Sequence, residues 1–371
     1  MKFLDEFRDP AAARQLLAEI RRVARRPWTL MEVCGGQTHS LLRHGIDAEL
    51  DGVVGLIHGP GCPVCVTPLE AIDLARELSL REDTILVSFG DMLRVPSSHG
   101  SLLEARAAGG NVRTVYSPLD AVALARRHPE LQIIFFAVGF ETTVPTTALA
   151  VRQAAAQGLQ NFSLLVAHVR VLPAMEAIAA LPDSHVQGFL AAGHVCTVTG
   201  CELYAPFVDR YQMPVVVTGF EPVDLLQGIL TCVRLLESGR AEVANCYRRV
   251  AHNLGNPTAQ QLVADVFEVC DRAWRGFGVI PRGGLRLRAE FSRFDAEIRF
   301  GHMGLPVLEA SECRSGDVLA GRIKPPACAS FGTNCSPEHP LGAPMVSSEG
   351  ACAAYYRYGG IARTAERLSQ S

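Results

Sequence analysis

Short apolar runs alternate along the chain with stretches of helical periodicity. The runs at 53–57, 84–90 and 131–138 are rich in β-branched and aromatic residues, and helical patterns separate several of them. Parallel strands are buried on both faces and therefore read as continuous apolar segments, as IIFFAV at 133–138 does. The alternation predicts an α/β fold with parallel sheets.

The order of these elements predicts three domains. A chain of 371 residues is long enough for two or three. We expect two α/β domains with parallel sheets, the first over residues 28–117 and the second over 118–218. A third, mainly helical or irregular domain is expected from residues 1–27 and 219–371, organised around a cofactor because its last part is rich in Cys, Pro and Gly.

Two helical stretches have almost the same sequence. TPLEAIDLAR at 67–76 is followed by SPLDAVALAR at 117–126. The first is expected to begin with a capping box formed by Thr67 and Glu70. The repetition favours two related α/β domains.

Beyond Gly219 the pattern becomes one of long helices. They are predicted at 223–239 and from Glu242 to about Arg275.

Composition and charge exclude some classes of function. The net charge of −3 is spread along the chain, whereas a nucleic-acid surface would need clustered basic residues. No apolar run is long enough to span a bilayer. The first residues, MKFLDEFRDP, carry charges where a signal peptide is apolar, so we expect a cytoplasmic protein. In that compartment the 12 cysteines are not expected to form structural disulfides.

Four cysteines near the end of the chain form a candidate ligand set. Their spacing is C-x14-C-x6-C-x16-C, at Cys313, Cys328, Cys335 and Cys352. Four thiolates suit either structural zinc or an iron–sulfur cluster. Structural zinc usually shows close Cys-x-x-Cys pairs, which this segment lacks, so the wide spacing favours a [4Fe–4S] cubane.

A second candidate is Cys34, in a segment that predicts strand, glycine turn and helix over 29–45. Backbone N–H groups at the start of a helix favour a thiolate. Gln37 supplies a donor and an acceptor, and His39 is a candidate ligand or proton carrier.

The third candidate is the pair Cys62 and Cys65, in GPGCPVC. Their spacing is that of thioredoxin-type dithiols. The alternative is a pair of zinc ligands, but no second close pair completes such a site. His58, just before this loop, is a weaker candidate for tuning the dithiol.

The remaining cysteines are interpreted as structural. Cys196 and Cys201 resemble a ligand pair with His194, but they lie in a strand-rich region with no further cysteine nearby. Cys232, Cys246 and Cys270 fall within helical patterns and are expected in the core.

Together these motifs resemble the HypD-type family of hydrogenase maturation factors. The resemblance extends over nearly the whole chain and rests on CGGQTH at 34–39, GPGCPVC at 59–65, FGDMLRVP at 89–96, GFETT at 139–143, GHV at 193–195, GFEP at 219–222, RFDAE at 293–297 and MVSSEGACAAYY at 345–356.

The resemblance implies a scaffold that assembles the iron centre of [NiFe] hydrogenases, with redox capacity rather than conventional enzymatic turnover. A mononuclear iron there acquires two cyanides and one carbon monoxide. A small HypC-type partner shares the iron through its own thiolate, and a HypE-type partner donates cyanide. The family fold implied is two Rossmann-like domains and a third with a [4Fe–4S] cluster.

The resemblance also implies roles for particular residues. Cys34 corresponds to the iron-binding cysteine, Cys62 and Cys65 to the redox pair, and Cys313, Cys328, Cys335 and Cys352 to the cluster ligands. Glu141 lies in a family motif that faces the cleft. Gln37 departs from the His of many members, so it is expected to hydrogen-bond a cyanide or to leave proton handling to His39.

Two other functions fit parts of the pattern. A thiol–disulfide oxidoreductase would use Cys62 and Cys65 but leave Cys34 and the four terminal cysteines without a role. An iron–sulfur hydro-lyase would keep one cluster iron open and therefore need only three cysteine ligands. We expect instead that the dithiol relays electrons between cluster and iron.

Overall fold

The computed structural model describes residues 5–301 and 312–359. Its strands are β1 (Trp28–Glu32), β2 (Val54–His58), β3 (Thr84–Ser88), β4 (Val112–Thr114), β5 (Gln132–Gly139), β6 (Phe162–His168), β7 (Gly188–Ala192), β8 (Val215–Thr218), β9 (Val243–Asn245), β10 (Phe267–Trp274) and β11 (Gly278–Leu287).

The helices mostly connect these strands. They are α1 (Pro10–Val23), α2 (Gly35–Arg43), α3 (Ile46–Glu49), α4 (Pro63–Val66), α5 (Leu69–Ser79), α6 (Leu102–Ala107), α7 (Pro118–Arg127), α8 (Val144–Ala156), α9 (Val171–Ala179), α10 (Gly193–Thr199), α11 (Ala205–Tyr211), α12 (Pro222–Glu237), α13 (Pro257–Val266), α14 (Ala296–Phe300) and α15 (Ser315–Leu319). Residues 351–359 are also helical. Short 3-10 turns lie at Asp5–Phe7, Gly90–Arg94, Cys201–Tyr204, Ala289–Phe294, Pro325–Ala327 and Ala343–Met345.

Two parallel sheets form the centre of the molecule. Sheet A has the strand order β2-β1-β7-β8-β9, and sheet B has the order β4-β3-β5-β6. In sheet B, alternate residues face opposite sides: Ile85 and Val87 contribute to one apolar cluster and Leu86 to another. The predicted α/β class with parallel sheets is confirmed.

The predicted assignment of strands to the two sheets is wrong. Strands β3 and β4, from the segment 28–117, pair with β5 and β6 of the segment 118–218, while β1 and β2 join β7 and β8. The chain therefore leaves sheet A after β2, completes sheet B and returns. Apolar runs identify buried strands but carry no information about which strand lies beside which, so the boundary at 117/118 could not be derived from them.

The two similar helices both cover sheet B, on opposite faces. Helix α5 packs through Ile72 in one apolar cluster and α7 through Val122 in the other. Their similarity therefore does not mark two related domains. The capping box expected for the first is absent, since Thr67 donates its hydroxyl to Pro63 O and the helix begins at Leu69.

After Gly219 the predicted helix at 223–239 is confirmed as α12, whereas the second predicted helix and the separate domain are not. Helix α12 packs with α1 on sheet A, with Ile20 and Leu226 in one cluster, and β9 extends the same sheet. The helix expected from Glu242 to Arg275 is instead β9, α13 and β10. Strands β10 and β11 form an antiparallel hairpin.

The described residues of the C-terminal part, 312–359, contain the four terminal cysteines in short turns and helices. The predicted third domain also includes residues 1–4, 302–311 and 360–371, which lie outside the described residues. Among the described helices, none has the length and apolarity needed to cross a bilayer.

Candidate functional site

The site lies where sheet A changes its direction of winding. From β1 the chain moves to β2 on one side, whereas from β7 it moves to β8 on the other, so β1 and β7 are neighbours at a switch point. Ligands of parallel α/β sheets bind beyond the carboxyl ends of the strands at such a point. Cys34 follows β1 there, and His194 follows β7.

Cys34 occupies the N-cap position of α2, as the sequence predicts. Its side chain is only 2% exposed. Burial raises the pKa of the Cys34 thiol, although N–H groups of Gln37 and Gly36 act in the opposite direction. The expected preference for a thiolate is thus outweighed by desolvation.

His194 is the side chain facing this sulfur. Both of its ring nitrogens lie 3.9 Å from Cys34 Sγ. The imidazole stacks on Phe220 with ring centroids 5.1 Å apart. Burial lowers the pKa of His194 to about 4, so the ring is neutral at physiological pH. A neutral imidazole offers one donor and one acceptor to a group bound at the sulfur.

A buried carboxylate positions the Cys34 backbone. Glu32, at the end of β1, accepts a hydrogen bond of 2.8 Å from the Cys34 N–H. It also accepts from the Thr38 hydroxyl and from His58 Nδ1, the latter at 2.9 Å. Glu32 and His58 are opposite residues in the β1–β2 pair, so sheet register places them together. A carboxylate that is 0% exposed needs such donors to offset its desolvation.

The dithiol loop lies directly against the Cys34 turn. Gly35 N donates to Gly61 O at 3.2 Å. A β-carbon built on Gly61 would lie 2.1 Å from Cys34 N. Only glycine allows this approach of the two backbones. The predicted iron-binding cysteine and the predicted redox loop are therefore neighbours.

Cys65 connects this loop to the C-terminal cysteines. Burial raises the pKa of Cys65 well above its ordinary value, and a hydrogen bond with Cys62 adds to this effect. The charges of Cys352 and Glu349 raise it further. Val64, between the two cysteines, packs against the apolar cluster that contains Ala343 and Val346. The dithiol thus lies between the Cys34 turn and the C-terminal region.

The four terminal cysteines converge, as the sequence predicts for a ligand set. They line a single pocket together with largely apolar neighbours. A β-carbon on Gly342 would lie 2.3 Å from Cys313 Sγ, so glycine leaves room for that sulfur. Leu341 N donates to Cys335 Sγ at 3.4 Å, a contact that stabilises a ligating thiolate.

As the side chains stand, no group of three or more His, Cys, Asp or Glu in the described ranges is arranged to hold a metal ion. The chemistry of four thiolates in an apolar pocket nevertheless fits an iron–sulfur cluster.

Gln37 is held by the sheet beneath the site. Its Nε2 donates to Ala191 O at 3.2 Å and to Thr218 Oγ1 at 3.0 Å. Its buried Oε1 has no partner within the described residues. If the amide were rotated by 180°, its Oε1 would face Ala191 O, and two acceptors cannot form a hydrogen bond. The two hydrogen bonds of Nε2 therefore fix the orientation of the amide. Gln37 therefore presents an acceptor rather than the donor that a cyanide nitrogen needs.

His39 and Glu141, the other two predicted site residues, have partners outside the Cys34 site. His39 faces the C-terminal helix, where its Nε2 is 3.2 Å from the Tyr358 hydroxyl. Glu141 Oε1 accepts from Val171 N at 3.0 Å, and its Oε2 is buried without a partner in the described residues. Burial raises the pKa of Glu141.

Sequence reasoning missed Glu32 and Glu349, and it considered His194 only together with Cys196 and Cys201. The charges of both carboxylates raise the pKa of Cys34. A β-carbon on Gly35 would lie 2.4 Å from Glu349 Cβ, so this residue packs on the Cys34 turn. The signal for Glu32 and His194 was available, because each stands at the carboxyl end of an apolar run. Pairing those runs required the sheet order.

Comparison with known proteins gives a consistent family. The HypD family model, described as "Hydrogenase formation hypA family", matches residues 11–359. The chain is 49% identical over 378 residues to the hydrogenase maturation factor HypD of Rhodobacter capsulatus, covering 99% of this chain and 100% of that protein. It is 45% identical over 366 residues to the HypD of Escherichia coli K12, covering 96% and 98%.

Proposed function

The chain belongs to the HypD family of hydrogenase maturation factors, and on that premise we propose that it is the scaffold on which the Fe(CN)2(CO) unit of a [NiFe] hydrogenase is assembled. The iron is cargo, bound while its ligands are attached and then passed on. A HypC-type partner shares the iron through its own thiolate, and a HypE-type partner donates cyanide.

Cys34 is the proposed iron ligand on this chain. A thiolate is a soft donor that suits low-spin iron(II) carrying cyanide and carbon monoxide. Binding iron releases the proton that burial keeps on the sulfur. Glu32 fixes the Cys34 backbone, and His194 lies against its sulfur as a neutral ring. These contacts support a rigid site for one metal ion with its small ligands.

Cys62 and Cys65 are the proposed electron donors. Closing their disulfide releases two electrons and two protons. Their loop touches the Cys34 turn through Gly61, which supports a transfer path to the iron. The C-terminal thiolates Cys313, Cys328, Cys335 and Cys352 would hold the [4Fe–4S] cluster, which supplies single electrons when bound.

The two alternative functions receive less support. A stand-alone oxidoreductase exposes its attacking thiol to protein substrates, whereas Cys62 is 3% exposed and Cys65 is 0% exposed. A hydro-lyase keeps one cluster iron without a cysteine, whereas four cysteines line the pocket here.

The observation that carries the proposal is the backbone contact between Gly61 and Cys34, which joins the iron ligand to the dithiol. The test is infrared spectroscopy of chain purified without oxygen after co-expression with both partners. The wild type should show cyanide and carbon monoxide stretches. Cys34→Ala should lose them together with the mononuclear iron, whereas Cys62→Ala should lose them but keep the visible absorption of the cluster.

Cys270→Ser is the matched control. This half-buried cysteine lies in β10, where its sulfur is 3.8 Å from Arg272 Nη2, so the bands of Cys270→Ser should match the wild type. Normal cyanide and carbon monoxide bands in Cys62→Ala would contradict the relay. Normal bands in Cys34→Ala would contradict the scaffold itself.

A further inference from the structure

Four side chains stand side by side at the carboxyl edge of sheet A. Cys34, His194, Phe220 and Tyr247 each lie two residues past the end of a strand, namely β1, β7, β8 and β9. These strands are consecutive neighbours in the sheet and run parallel. Because the carboxyl ends of parallel strands meet at one edge, the sheet order places the four residues next to each other in this sequence. The proposed function uses only the first two.

Ring contacts continue the series from His194 to Tyr247. The His194 imidazole is stacked on Phe220 with an interplanar angle of 11°. Phe220 in turn meets Tyr247 edge to face, with ring centroids 6.1 Å apart and an interplanar angle of 86°. Both arrangements are favourable for aromatic rings. Cys34 Sγ is equally far from the two imidazole nitrogens, at 3.9 Å, so the sulfur does not select one of them. The orientation of the imidazole is therefore set by its stacking on Phe220.

The glycines of the GHV and GFEP motifs make room for the Tyr247 ring. A β-carbon on Gly193 would lie 2.3 Å from Tyr247 Cδ1 and 2.5 Å from Thr218 O. A β-carbon on Gly219 would lie 2.7 Å from Tyr247 Cε2. A side chain at either position would displace the ring from the edge of the sheet. One aromatic side chain thus explains the glycine in both motifs.

An ion pair packs on Tyr247. Arg249 donates two hydrogen bonds, of 2.7 and 2.6 Å, to the carboxylate of Asp224, which is 3% exposed. The guanidinium carbon lies 4.4 Å from the centroid of the Tyr247 ring and 3.8 Å from that of Phe7. The Tyr247 N–H donates to Asn245 Oδ1 at 2.8 Å. Because a two-point Arg–carboxylate pair has a defined geometry, these contacts hold the Tyr247 ring in place.

We propose that Tyr247 is a positioning residue, which acts through Phe220 to hold the His194 ring against the Cys34 sulfur. The torsion about the Cβ–Cγ bond of histidine has broad minima, so an unstacked imidazole would adopt several orientations. The stacked ring keeps its two nitrogens beside Cys34 Sγ, where they are available to a small ligand of iron. This role toward an iron ligand rests on the proposed function, whereas the fixed orientation of the ring does not.

The test is modification of the iron-free full chain with diethyl pyrocarbonate, which acylates accessible neutral imidazoles. Trypsin releases residues 171–210 as one peptide, whose histidines are His185 and His194. His185 is exposed and serves as the internal reference. Tyr247→Leu should raise the ratio of His194 to His185 modification by about two- to tenfold, the change in unstacked population on losing one aromatic contact. Tyr247→Phe keeps the ring and should give the wild-type ratio.

Further variants separate positioning from a general loss of structure. Phe220→Leu should raise the ratio at least as much as Tyr247→Leu does. Adding Tyr247→Leu to Phe220→Leu should raise it no further, because Tyr247 acts through Phe220. Tyr211→Leu is the matched control, since Tyr211 is another partly buried tyrosine that packs against the same apolar cluster. It should keep the wild-type ratio.

Three labelling outcomes would overturn the proposal: an unchanged ratio in Tyr247→Leu, an additive effect in the double variant, or an equal rise in Tyr211→Leu. Unfolding temperatures show whether each variant is folded. If Tyr247→Leu is not, Phe220→Leu removes the same ring contact from its other partner, and an unchanged ratio there would overturn the proposal equally.

Infrared spectra after co-expression with both partners test the role toward the iron ligand. The cyanide bands of Tyr247→Leu should be shifted or broader than those of the wild type, because the His194 nitrogens no longer have one position. Identical bands in the two proteins would overturn this role. Absence of cyanide bands from the wild type would instead contradict the proposed function, and the labelling of the iron-free chain would still decide whether Tyr247 fixes the ring.

Discussion

The backbone of Gly61 packs against the backbone of Cys34, so closely that a β-carbon at position 61 would lie 2.3 Å from Cys34 Cα. This contact joins the turn after β1 to the turn after β2 at the carboxyl end of sheet A. The CGGQTH and GPGCPVC motifs, which are separate in sequence, therefore form one surface.

Gly61→Ala should therefore disrupt both turns. The added methyl group meets backbone atoms, which cannot move aside, so we expect a loss of about 1–3 kcal/mol in the free energy of unfolding. Chemical denaturation measures this change. Gly55→Ala is the matched control in β2, because its nearest neighbours would lie at 3.8 Å, and it should unfold as the wild type does. Equal stability of the two variants would contradict the close contact.

Glu32→Gln should weaken the support of Cys34. The amide keeps one acceptor oxygen but presents N–H groups to positions now occupied by donors from Cys34, Thr38 and His58. We expect a loss of about 1–3 kcal/mol in unfolding free energy. Glu70→Gln, at an exposed position of α5, should change the stability little. A Glu32 variant as stable as the Glu70 variant would show that these hydrogen bonds are replaceable.

Gly342→Ala should impair formation of the C-terminal metal site. The new β-carbon would lie 2.3 Å from Cys313 Sγ and would push this sulfur out of the shared pocket. We expect less iron and acid-labile sulfide per chain, measured after anaerobic reconstitution. Gly90→Ala provides the control, since its β-carbon would meet only Thr114 Cγ2 at 3.8 Å. Wild-type iron and sulfide content in Gly342→Ala would speak against a cluster in this pocket.

His168 should make stability depend on pH below neutrality. Burial lowers its pKa to about 4 from the ordinary 6.5, so the unfolded chain binds this proton at a higher pH than the folded chain does. The stabilisation is present above pH 6.5 and is lost as the pH falls towards 4, by up to about 3 kcal/mol.

The comparison with His168→Gln isolates this contribution. Denaturant unfolding between pH 4 and 7 should give a shallower slope of free energy against pH for the variant, by up to about one proton. Other titrating groups contribute equally to both proteins. Equal slopes of unfolding free energy against pH for the two proteins would mean that His168 is not buried as a neutral ring.

Much of the fold follows from local sequence. The apolar runs at 53–57, 84–90 and 131–138 correspond to β2, β3 and β5, and the strand–turn–helix at Cys34 forms as its glycines predict. The prediction placed β9 of sheet A inside a helix. The hairpin region was misread because FEVCDRAW at β10 is only half-buried and mixes charged with apolar residues, which also fits a helical period. Strand pairing depends on contacts far apart in sequence and could not be read from periodicity.

The sequence indicated the sulfur atoms of the candidate site but not the groups around them. Spacing predicted the four terminal cysteines and the Cys62–Cys65 pair, and the strand–turn–helix pattern predicted Cys34. The contact between Cys34 and His194 spans 160 positions and exists only because β1 lies beside β7. Glu32 was missed because its donor His58 lies on the neighbouring strand, and that pairing is known only from the sheet order.

The insertion of sheet B between β2 and β7 has a consequence for the newly synthesised protein. When Cys34 leaves the ribosome, the strand that carries His194 to it has not yet been translated. Sheet B can form first as a separate folding unit. Until β7 is translated, the Cys34 thiol of the nascent chain is not covered by His194. During this time the Cys34 thiol is open to oxidation and to binding of an unrelated metal ion. This exposure ends when the last strands of sheet A pack.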